Sequence, residues 1–364
     1  MDTLKRTNTF HIDLPLFTGL VILSAIGLAI LYSSSGQDSD ILFKQIIRLA
    51  IGFTVMFVVA QIPPHQLKLW TPWIFGIGLG LLLAVLVLGE TGKGAQRWLD
   101  MGFFRFQPSE IMKIAVPIMA AWYLSDRTLP PSHKHVAVGM ILIIVPTLMI
   151  AKQPDLGTSI LVFAAGLFVL LLAGMQWRII FTFVVLAIPI AWALWEYGMH
   201  EYQKGRVLTL LDPEREPLGA GYHIIQSKIA IGSGGIYGKG WLNGTQSNLD
   251  FLPESSTDFI FAVFSEEFGL IGTVLLLLLY LAIVARGLYI ANQAQNTFNR
   301  LLAGSITLTF FVYVFVNIGM VIGILPVVGL PLPLISYGGT SMVTLMAGFG
   351  ILMSIHAHRK LLPA

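Results

Sequence analysis

Apolar residues fill ten long stretches of the chain, and most polar residues and prolines lie between them. Each stretch is close to the length of about 20 residues that a helix needs to cross a bilayer. Backbone polar groups find no water in a bilayer, so helices are expected there. The pattern predicts an all-α, polytopic membrane protein with a single domain, residues 1–364. The predicted spans are 14–34, 42–62, 68–89, 108–125, 136–151, 157–174, 178–198, 258–285, 299–325 and 338–357.

The distribution of basic residues predicts the orientation of these spans. An even number of spans places both termini on one side. With cytoplasmic termini, ten Lys and Arg residues fall inside and four fall in the short outer loops, which agrees with the positive-inside rule. The inside residues are Lys5, Arg6, Lys68, Arg127, Lys134, Arg178, Arg286, Arg300, Arg359 and Lys360; the outer ones are Lys93, Arg97, Arg105 and Lys152.

Three segments are then extracytoplasmic: 90–108, 152–157 and the long loop 199–257 between spans seven and eight. Within the long loop, 206–211 and 222–231 predict short amphipathic helices. Two segments are rich in glycine. The first, 231–240, matches no phosphate-binding pattern and predicts a flexible connector. The second, 323–339, also holds prolines and predicts an irregular, re-entrant wall buried in protein.

Composition agrees with a membrane protein and excludes some classes of function. Charged residues make up 11% of the chain, against about 25% in soluble proteins. A net charge of +3 is too small to imply a nucleic-acid partner. The chain has no cysteine, and its eight histidines show no zinc-binding spacing, so a metal stays unknown.

Several charged residues fall in the outer half of the predicted membrane. Ionisable groups in that environment are costly, and they are candidates for function. Their clustering predicts one polar site that opens outward. The residues are Lys44, Arg48, Glu110, Lys113, Asp155, Asp258, Glu266 and Glu267.

Some of these residues also have structural interpretations. Glu110 and Lys113 lie three apart on one helix and are expected to pair, with both a structural and a functional role open. Glu266 and Glu267 are expected to neutralise one of three cations in the bundle. Those cations are Lys44, Arg48 and Lys113. Asp155 lies in a Pro-Asp-Leu-Gly run that predicts a turn and a helix start.

Asp258 is the candidate for which the sequence favours a functional role. Ser255, Ser256 and Thr257 are suitable N-cap residues, which would put Asp258 in the first helical turn, near the positive end of the helix dipole. No Lys or Arg lies within a helical turn of it in the sequence. The sequence therefore predicts a carboxylate at the water boundary of span eight.

Six motifs carry a resemblance to a known family. They occur in order along almost the whole chain: KGAQRW at 93–98, FQPSE at 106–110, QPDLGT at 153–158, GAGYHIIQS at 219–227, LPESSTDFIF at 252–261, and LPVVG at 325–329 with SYGG at 336–339. Together they resemble the shape, elongation, division and sporulation family. GKGWLNGTQ at 238–246 and the short N-terminus make the elongation branch the nearer one. Ser255 and Ser256 depart from the basic residue or histidine that is frequent before Thr-Asp in the family.

The resemblance implies a peptidoglycan glycosyltransferase of rod-shaped growth, which polymerises lipid II on the outer face of the bacterial cytoplasmic membrane. It implies a class B penicillin-binding protein as the partner for transpeptidation. The catalytic aspartate of the family corresponds to Asp258. Its important glutamate and lysine correspond to Glu110 and Lys113.

The residues permit an inverting transfer with Asp258 as general base. Arg48, Arg206 and Lys239, together with Lys113, are candidates to bind the departing diphosphate, and Asp155 is a further substrate-site candidate. A divalent cation, Mg²⁺ or Mn²⁺, held by carboxylates is an open alternative. Two other functions also stay open, a lipid II flippase and a non-catalytic scaffold, although the chain shows no repeat typical of transporters.

Overall fold

The predicted apolar stretches form helices in the computed structural model, which describes residues 11–92, 95–100, 105–199, 201–212, 220–249, 251–252 and 254–359. The helices of the bundle are α1 (Leu14–Ser34), α2 (Ser39–Gln61), α3 (Pro64–Leu88), α4 (Pro108–Ser125), α5 (His133–Ala151), α6 (Leu156–Leu172), α7 (Trp177–Ala193), α11 (Ile260–Gln293), α12 (Thr297–Val321) and α13 (Thr340–Ala357). Each corresponds to one predicted span. Eight are long and apolar enough to cross a membrane, if α7 is counted together with the π-helical turn Leu194–Gly198 that continues it. The other two are α6, which is shorter, and α4, which is more polar.

The segments between the helices have some structure of their own. Between α3 and α4, three strands form a small antiparallel sheet, β1 (Glu90–Gly92), β2 (Ala95–Asp100) and β3 (Arg105–Phe106), which the sequence analysis does not predict. Lys93 of the first motif lies outside the described residues. The two predicted short helices are confirmed as α8 (Glu201–Leu211) and α9 (Ala220–Gly234), and α10 (Thr245–Asn248) follows.

The first and last helices meet at one end of the bundle. Asp13, just before α1, lies 3.2 Å from His356 near the end of α13, and the rings of His11 and His358 are 4.6 Å apart. The other end of α1 is about 30 Å away, at a rise of about 1.5 Å per residue. Ser34 at that far end accepts hydrogen bonds from Ser255 and Ser256, so the segment around Asp258 lies at the opposite end of α1 from the contact with α13.

Asp13 joins the start of α1 to α11. Its buried carboxylate accepts hydrogen bonds from Arg286 at 2.6 and 3.0 Å and from the Leu16 N–H at 3.0 Å. Burial alone would raise the pKa of Asp13, but these bonds outweigh burial and lower the pKa below its usual value of 3.8. Such a carboxyl stabilises the fold above its unfolded pKa, and that stabilisation is lost as the pH falls through the folded pKa.

Asp13→Asn is therefore expected to destabilise the protein at pH 7 by about 1–3 kcal/mol, because charged hydrogen bonds are replaced by neutral ones. The deficit should shrink as the pH falls below about 4, where the wild-type carboxylate also becomes protonated. Thermal unfolding in detergent across this pH range measures both effects. A deficit that stays constant from pH 7 to pH 3 would contradict the assignment.

Helix α11 is not the single straight span that the sequence predicts. Gly269 has φ 62° and ψ −162°, which divides α11 into two helical segments. All residues from Phe259 to Glu267 are buried, whereas Leu270, Ile271 and Leu275 beyond the break are exposed apolar side chains suited to lipid. The first segment is therefore enclosed by protein, and the second presents a lipid-facing surface.

The glycine-rich run 231–240 packs against this break, so the prediction of a flexible connector is wrong. Lys239 N–H donates to Glu266 O at 3.0 Å, and Gly240 N–H donates to Glu267 O at 2.9 Å. In the opposite direction, Leu270 N–H donates to Gly235 O at 2.9 Å. A break in a helix leaves backbone groups without intrahelical partners, and here the run supplies them.

Gly238→Ala is expected to destabilise the protein strongly, because a Cβ at Gly238 would lie only 2.1 Å from Glu267 O and the residue has φ +79°. The unfavourable backbone conformation alone costs about 1–3 kcal/mol. Gly235→Ala is the matched control, since Gly235 also has positive φ (+56°) but no atom within 4 Å of its added Cβ. Thermal unfolding should rank Gly238→Ala well below Gly235→Ala; equal midpoints would show that the close packing contributes nothing.

Candidate active site

Asp258 lies in a turn, residues 254–259, that leads into α11. The helix begins at Ile260 with Phe259 as its N-cap residue, so the prediction that Asp258 occupies the first helical turn is wrong. The preceding hydroxyls are also not helix caps. Ser255 Oγ and Ser256 Oγ each donate to Ser34 O at 3.2 Å, which ties the turn to the end of α1.

The backbone on both sides of the Asp258 carboxylate is held by other parts of the bundle. Ser336 Oγ donates to Thr257 O at 2.6 Å, and Tyr337 N–H donates to Ser256 O at 2.9 Å. From α12, Asn317 Nδ2 donates to Asp258 O at 3.0 Å. The turn thus has a fixed conformation although it contains no helix or strand.

The Asp258 side chain is half-buried and faces Gly329. A Cβ added at Gly329 would lie 3.6 Å from Asp258 Oδ2, and Gly329 has φ +76°, a conformation that glycine adopts readily. The carboxylate is therefore bordered by backbone that carries no side chain at this point.

Arg48 of α2 lies in the same region, against the irregular segment 322–339. Its guanidinium lies 4.2 Å from the centre of the Tyr337 ring, and Tyr337 is hydrogen-bonded to the Asp258 turn. One helical turn away, Gln45 Nε2 donates to Ser336 O at 3.2 Å. Arg48 thus provides a half-buried positive charge on the wall next to the turn.

The segment 322–339 is irregular, as the sequence predicts, and its residues 332–336 are buried. Tyr280 OH donates to Pro333 O at 2.7 Å, and a Cβ at Gly27 would lie 2.4 Å from Leu334 O, so α11 and α1 enclose it. It borders the start of α6, the Asp258 turn, Tyr313 and Arg48. Its contacts are Val328 with Gly157, Gly329 with Asp258, Leu330 with Tyr313, Ser336 with Thr257, and Tyr337 with Arg48.

Glu110 and Lys113 form the predicted pair at the start of α4. Lys113 Nζ lies 2.7 Å from Glu110 Oε1, both side chains are 6% exposed, and Lys113 also donates to the hydroxyl of Tyr313 on α12. Glu110 Oε2 is buried without a hydrogen-bond partner among the described residues. The pairing is confirmed, and a role in catalysis stays a prediction.

A small cavity of about 30 Å³ lies beside Lys113, between α4, α12 and α13. It is mainly apolar, with hydroxyls from Thr309, Ser341 and Thr344. The ammonium group of Lys113 is thus the charged end of a largely apolar space.

Asp155 has the helix-start geometry that its sequence predicts. Its Oδ1 accepts from the Thr158 N–H at 3.2 Å, which caps α6, and its Oδ2 accepts from Gln107 Nε2 at 2.9 Å. The turn before it is held by Arg97, which donates to Gln153 O at 3.4 Å and to Pro154 O. Asp155 therefore joins the segment before α4 to the start of α6, and its proposed contact with substrate stays a prediction.

Glu266 and Glu267 do not pair with the cations that the sequence analysis names. Glu266 is fully buried and binds Lys239 at 2.6 Å, and it also accepts from the Thr245 N–H at 2.9 Å. Glu267 accepts from Ser33 Oγ on α1. Both carboxylates bind protein groups, as expected for a structural role. The cation that neutralises Glu266, however, is Lys239 of the glycine-rich run, which the sequence interpretation did not name.

Two candidate cations remain, Arg206 and Lys239. Arg206 is exposed on α8. Lys239 is 27% exposed while it pairs with Glu266. Within the described part of the chain, no three His, Asp or Glu side chains are grouped closely enough to hold a metal ion. The divalent cation therefore stays a prediction, and no step below depends on it.

Sequence reasoning missed Asn317 and Tyr313, which contact Asp258 and Lys113 directly. Asn317 offers the clearest signal, because it is a lone amide within the apolar run of α12. Polar residues in such runs are expensive unless they are satisfied, which marks them for attention. Ser336 belongs to the SYGG motif, but the sequence does not predict its hydrogen bond to Thr257 O. Tyr313 carries no comparable signal in a single sequence.

Comparison with known proteins gives a consistent set of relatives. A model of the FtsW/RodA/SpoVE family, described as cell cycle proteins, matches residues 6–361. The chain is 56% identical over 352 residues to the peptidoglycan glycosyltransferase MrdB of Escherichia coli K12, covering 97% of this chain and 95% of that one. It is 38% identical to the Helicobacter pylori protein of the same name, over 96% of this chain and 91% of that one.

Two solved structures are similar along nearly the whole length. One is a chain in a structure entitled structural coordination of polymerization and crosslinking by a peptidoglycan synthase complex, with a TM-score of 0.83 and 29% identity over 96% of this chain and 99% of that one. The other is the crystal structure of the rod shape determining protein RodA of Thermus thermophilus, with a TM-score of 0.72 and 27% identity over 96% of this chain and 98% of that one.

Proposed function

The chain belongs to the FtsW/RodA/SpoVE family and is a peptidoglycan glycosyltransferase, and we propose that it polymerises lipid II with Asp258 as the general base. The observation that carries this proposal is the Asp258 turn. It presents a half-buried carboxylate on a backbone that two helices, α1 and α12, and the irregular segment hold in place. A base of fixed position is what activation of a weak sugar nucleophile requires.

The proposed reaction is a single displacement. The 4-hydroxyl oxygen of one lipid II N-acetylglucosamine attacks the muramyl anomeric carbon of a second lipid-linked chain, and the hydroxyl proton moves to the Asp258 carboxylate. The bond between that carbon and the diphosphate oxygen breaks, and the lipid diphosphate leaves with the electron pair. Attack opposite to the leaving group inverts the anomeric configuration.

The departing diphosphate gains negative charge, so positive groups near it lower the barrier. Arg48 on the wall beside the Asp258 turn and Lys113 at the mouth of the apolar cavity are the best-placed candidates, with Arg206 as an exposed one. Lys239 would have to leave Glu266 first.

The protein is a multi-pass membrane protein. In the proposal, the Asp258 end of the bundle faces the outside, because the start of α1 and the end of α13 meet at the opposite end and the basic residues predict cytoplasmic termini. A class B penicillin-binding protein is the proposed partner and would crosslink the new strands. The similar chain from a peptidoglycan synthase complex supports such a partner.

Purified protein with its partner and labelled lipid II in detergent tests the proposal. Wild type should give a ladder of glycan strands on a gel, and Asp258→Ala should give none while folding and binding its partner normally. Equal ladders from both proteins would reject Asp258. If wild type gave none although a leaflet-accessibility assay detected lipid II transfer, the flippase would be favoured instead.

A further inference from the structure

Two buried polar residues, Asn317 on α12 and Ser336 on the irregular segment, bind the backbone at the Asp258 turn. We propose that they are positioning residues for glycan polymerisation, because they fix the peptide units that carry the Asp258 carboxylate. The inference rests on the proposed role of Asp258 as the base. It concerns residues that do not touch the reacting sugars themselves.

Asn317 is fully buried, and its amide nitrogen serves two parts of the site at once. Nδ2 donates to Asp258 O at 3.0 Å and to Leu330 O at 2.7 Å. Two carbonyl acceptors can only be met by the NH₂ end of the amide, so they determine its orientation. The side chain therefore bridges the Asp258 turn and the segment that borders it.

The oxygen of this amide contributes no hydrogen bond among the described residues, so the side chain acts through the two bonds that its NH₂ group donates. Asn317 Oδ1 is buried and has no hydrogen-bond partner in the part of the chain that the structure describes. An unsatisfied buried acceptor is costly, and a leucine at this position would avoid that cost. The amide thus carries a penalty that an ordinary packing residue would not carry.

Ser336 acts on the adjacent carbonyl. Its buried hydroxyl donates to Thr257 O at 2.6 Å and accepts from the Leu332 N–H at 2.7 Å. The donated bond joins the irregular segment to the turn, and the accepted bond fixes the hydroxyl within the irregular segment itself. Together with Asn317, it holds two consecutive carbonyls, those of Thr257 and Asp258.

This arrangement matters because Asp258 precedes α11 and is not held by helical hydrogen bonds. A rotation of either peptide unit would swing the carboxylate away from Gly329. Displacement of a catalytic group by about 1 Å can cost about 100-fold in rate. We therefore expect the two residues to affect kcat without contacting the substrate.

The first test measures position and does not depend on activity. The chain has no cysteine, so Asp258→Cys introduces a unique thiol for a nitroxide spin label. The mobility of the label is measured in the full chain bound to its partner. The protein with Asp258→Cys as its single substitution is compared with proteins that also carry Asn317→Leu or Ser336→Ala. The control is Ser305→Ala, which removes an equally buried hydroxyl on α12 whose 2.6 Å bond goes to Ala165 O on α6.

The second test measures lipid II polymerisation with an otherwise unaltered site. Asn317→Leu and Ser336→Ala should each lower kcat by about 10–100-fold, while KM changes by less than about threefold. Ser336→Thr keeps the hydroxyl and should recover most of the rate. Ser305→Ala should behave like wild type, and thermal unfolding of every variant identifies any loss of fold.

The inference is supported if the label at position 258 becomes more mobile in both variants and kcat falls in both. Unchanged mobility, or a loss of kcat as large in Ser305→Ala, would overturn it. Raised mobility with unchanged kcat would overturn it too. In that last case Asp258→Asn separates the two hypotheses: an inactive variant means that only the positioning role is wrong, whereas an active one rejects the base itself.

Discussion

Asp258→Asn is expected to lower kcat for lipid II polymerisation by about 10²–10⁴-fold while lipid II binding stays unchanged. The amide has nearly the shape of the carboxylate but cannot accept the proton of the attacking hydroxyl. The turn should keep its conformation, because Asn317, Ser336 and Tyr337 bind its backbone carbonyls. Glycan synthesis by the purified complex, with lipid II binding measured separately, checks both parts.

Glu254→Gln is the matched control for this substitution. Glu254 lies in the same turn, is exposed, and accepts from Thr257 Oγ1 at 2.8 Å, so the same carboxylate-to-amide change is made a few residues away. Its kcat should stay within about threefold of wild type, since an exposed neutral hydrogen bond replaces a charged one at small cost. If Asp258→Asn retained wild-type activity, or if both variants lost activity equally, Asp258 would not be the base.

The sequence was sufficient for features that depend on local patterns. The ten apolar runs correspond to ten helices of the bundle, and for Leu14–Ser34 and Pro108–Ser125 both bounds agree with the predicted spans. The pairing of Glu110 with Lys113 follows from their spacing on one helix. The proline and glycine content of 323–339 likewise predicts its irregular backbone.

Features that depend on contacts between distant residues could not be predicted in this way. Lys239 lies 27 residues before Glu266, and only the docking of the glycine-rich run on the break at Gly269 brings them together. That docking uses backbone groups, which every residue possesses, so side-chain patterns carry little information about it. The position of Asn317 beneath Asp258 likewise follows from how α12 packs, not from its own sequence.

Glu110→Gln and Lys113→Met are each expected to destabilise the protein by about 3–5 kcal/mol, because each leaves a buried charge without its partner. The pair Lys68 and Asp126 is the control. It has an equally short distance, 2.6 Å, but its side chains are 32% and 67% exposed. Asp126→Asn should therefore cost less than about 1 kcal/mol. Thermal unfolding in detergent compares the three variants.

The double variant Glu110→Gln with Lys113→Met separates structure from catalysis. Removing both charges abolishes the unpaired buried charge, so stability should recover most of the loss seen in the single variants. Activity should not recover, because Lys113 borders the apolar cavity and its positive charge is proposed to stabilise the departing diphosphate. A stable double variant with wild-type glycan synthesis would show that the pair serves the fold alone, whereas a stable and inactive one would show that the pair is needed for the reaction as well as for the fold.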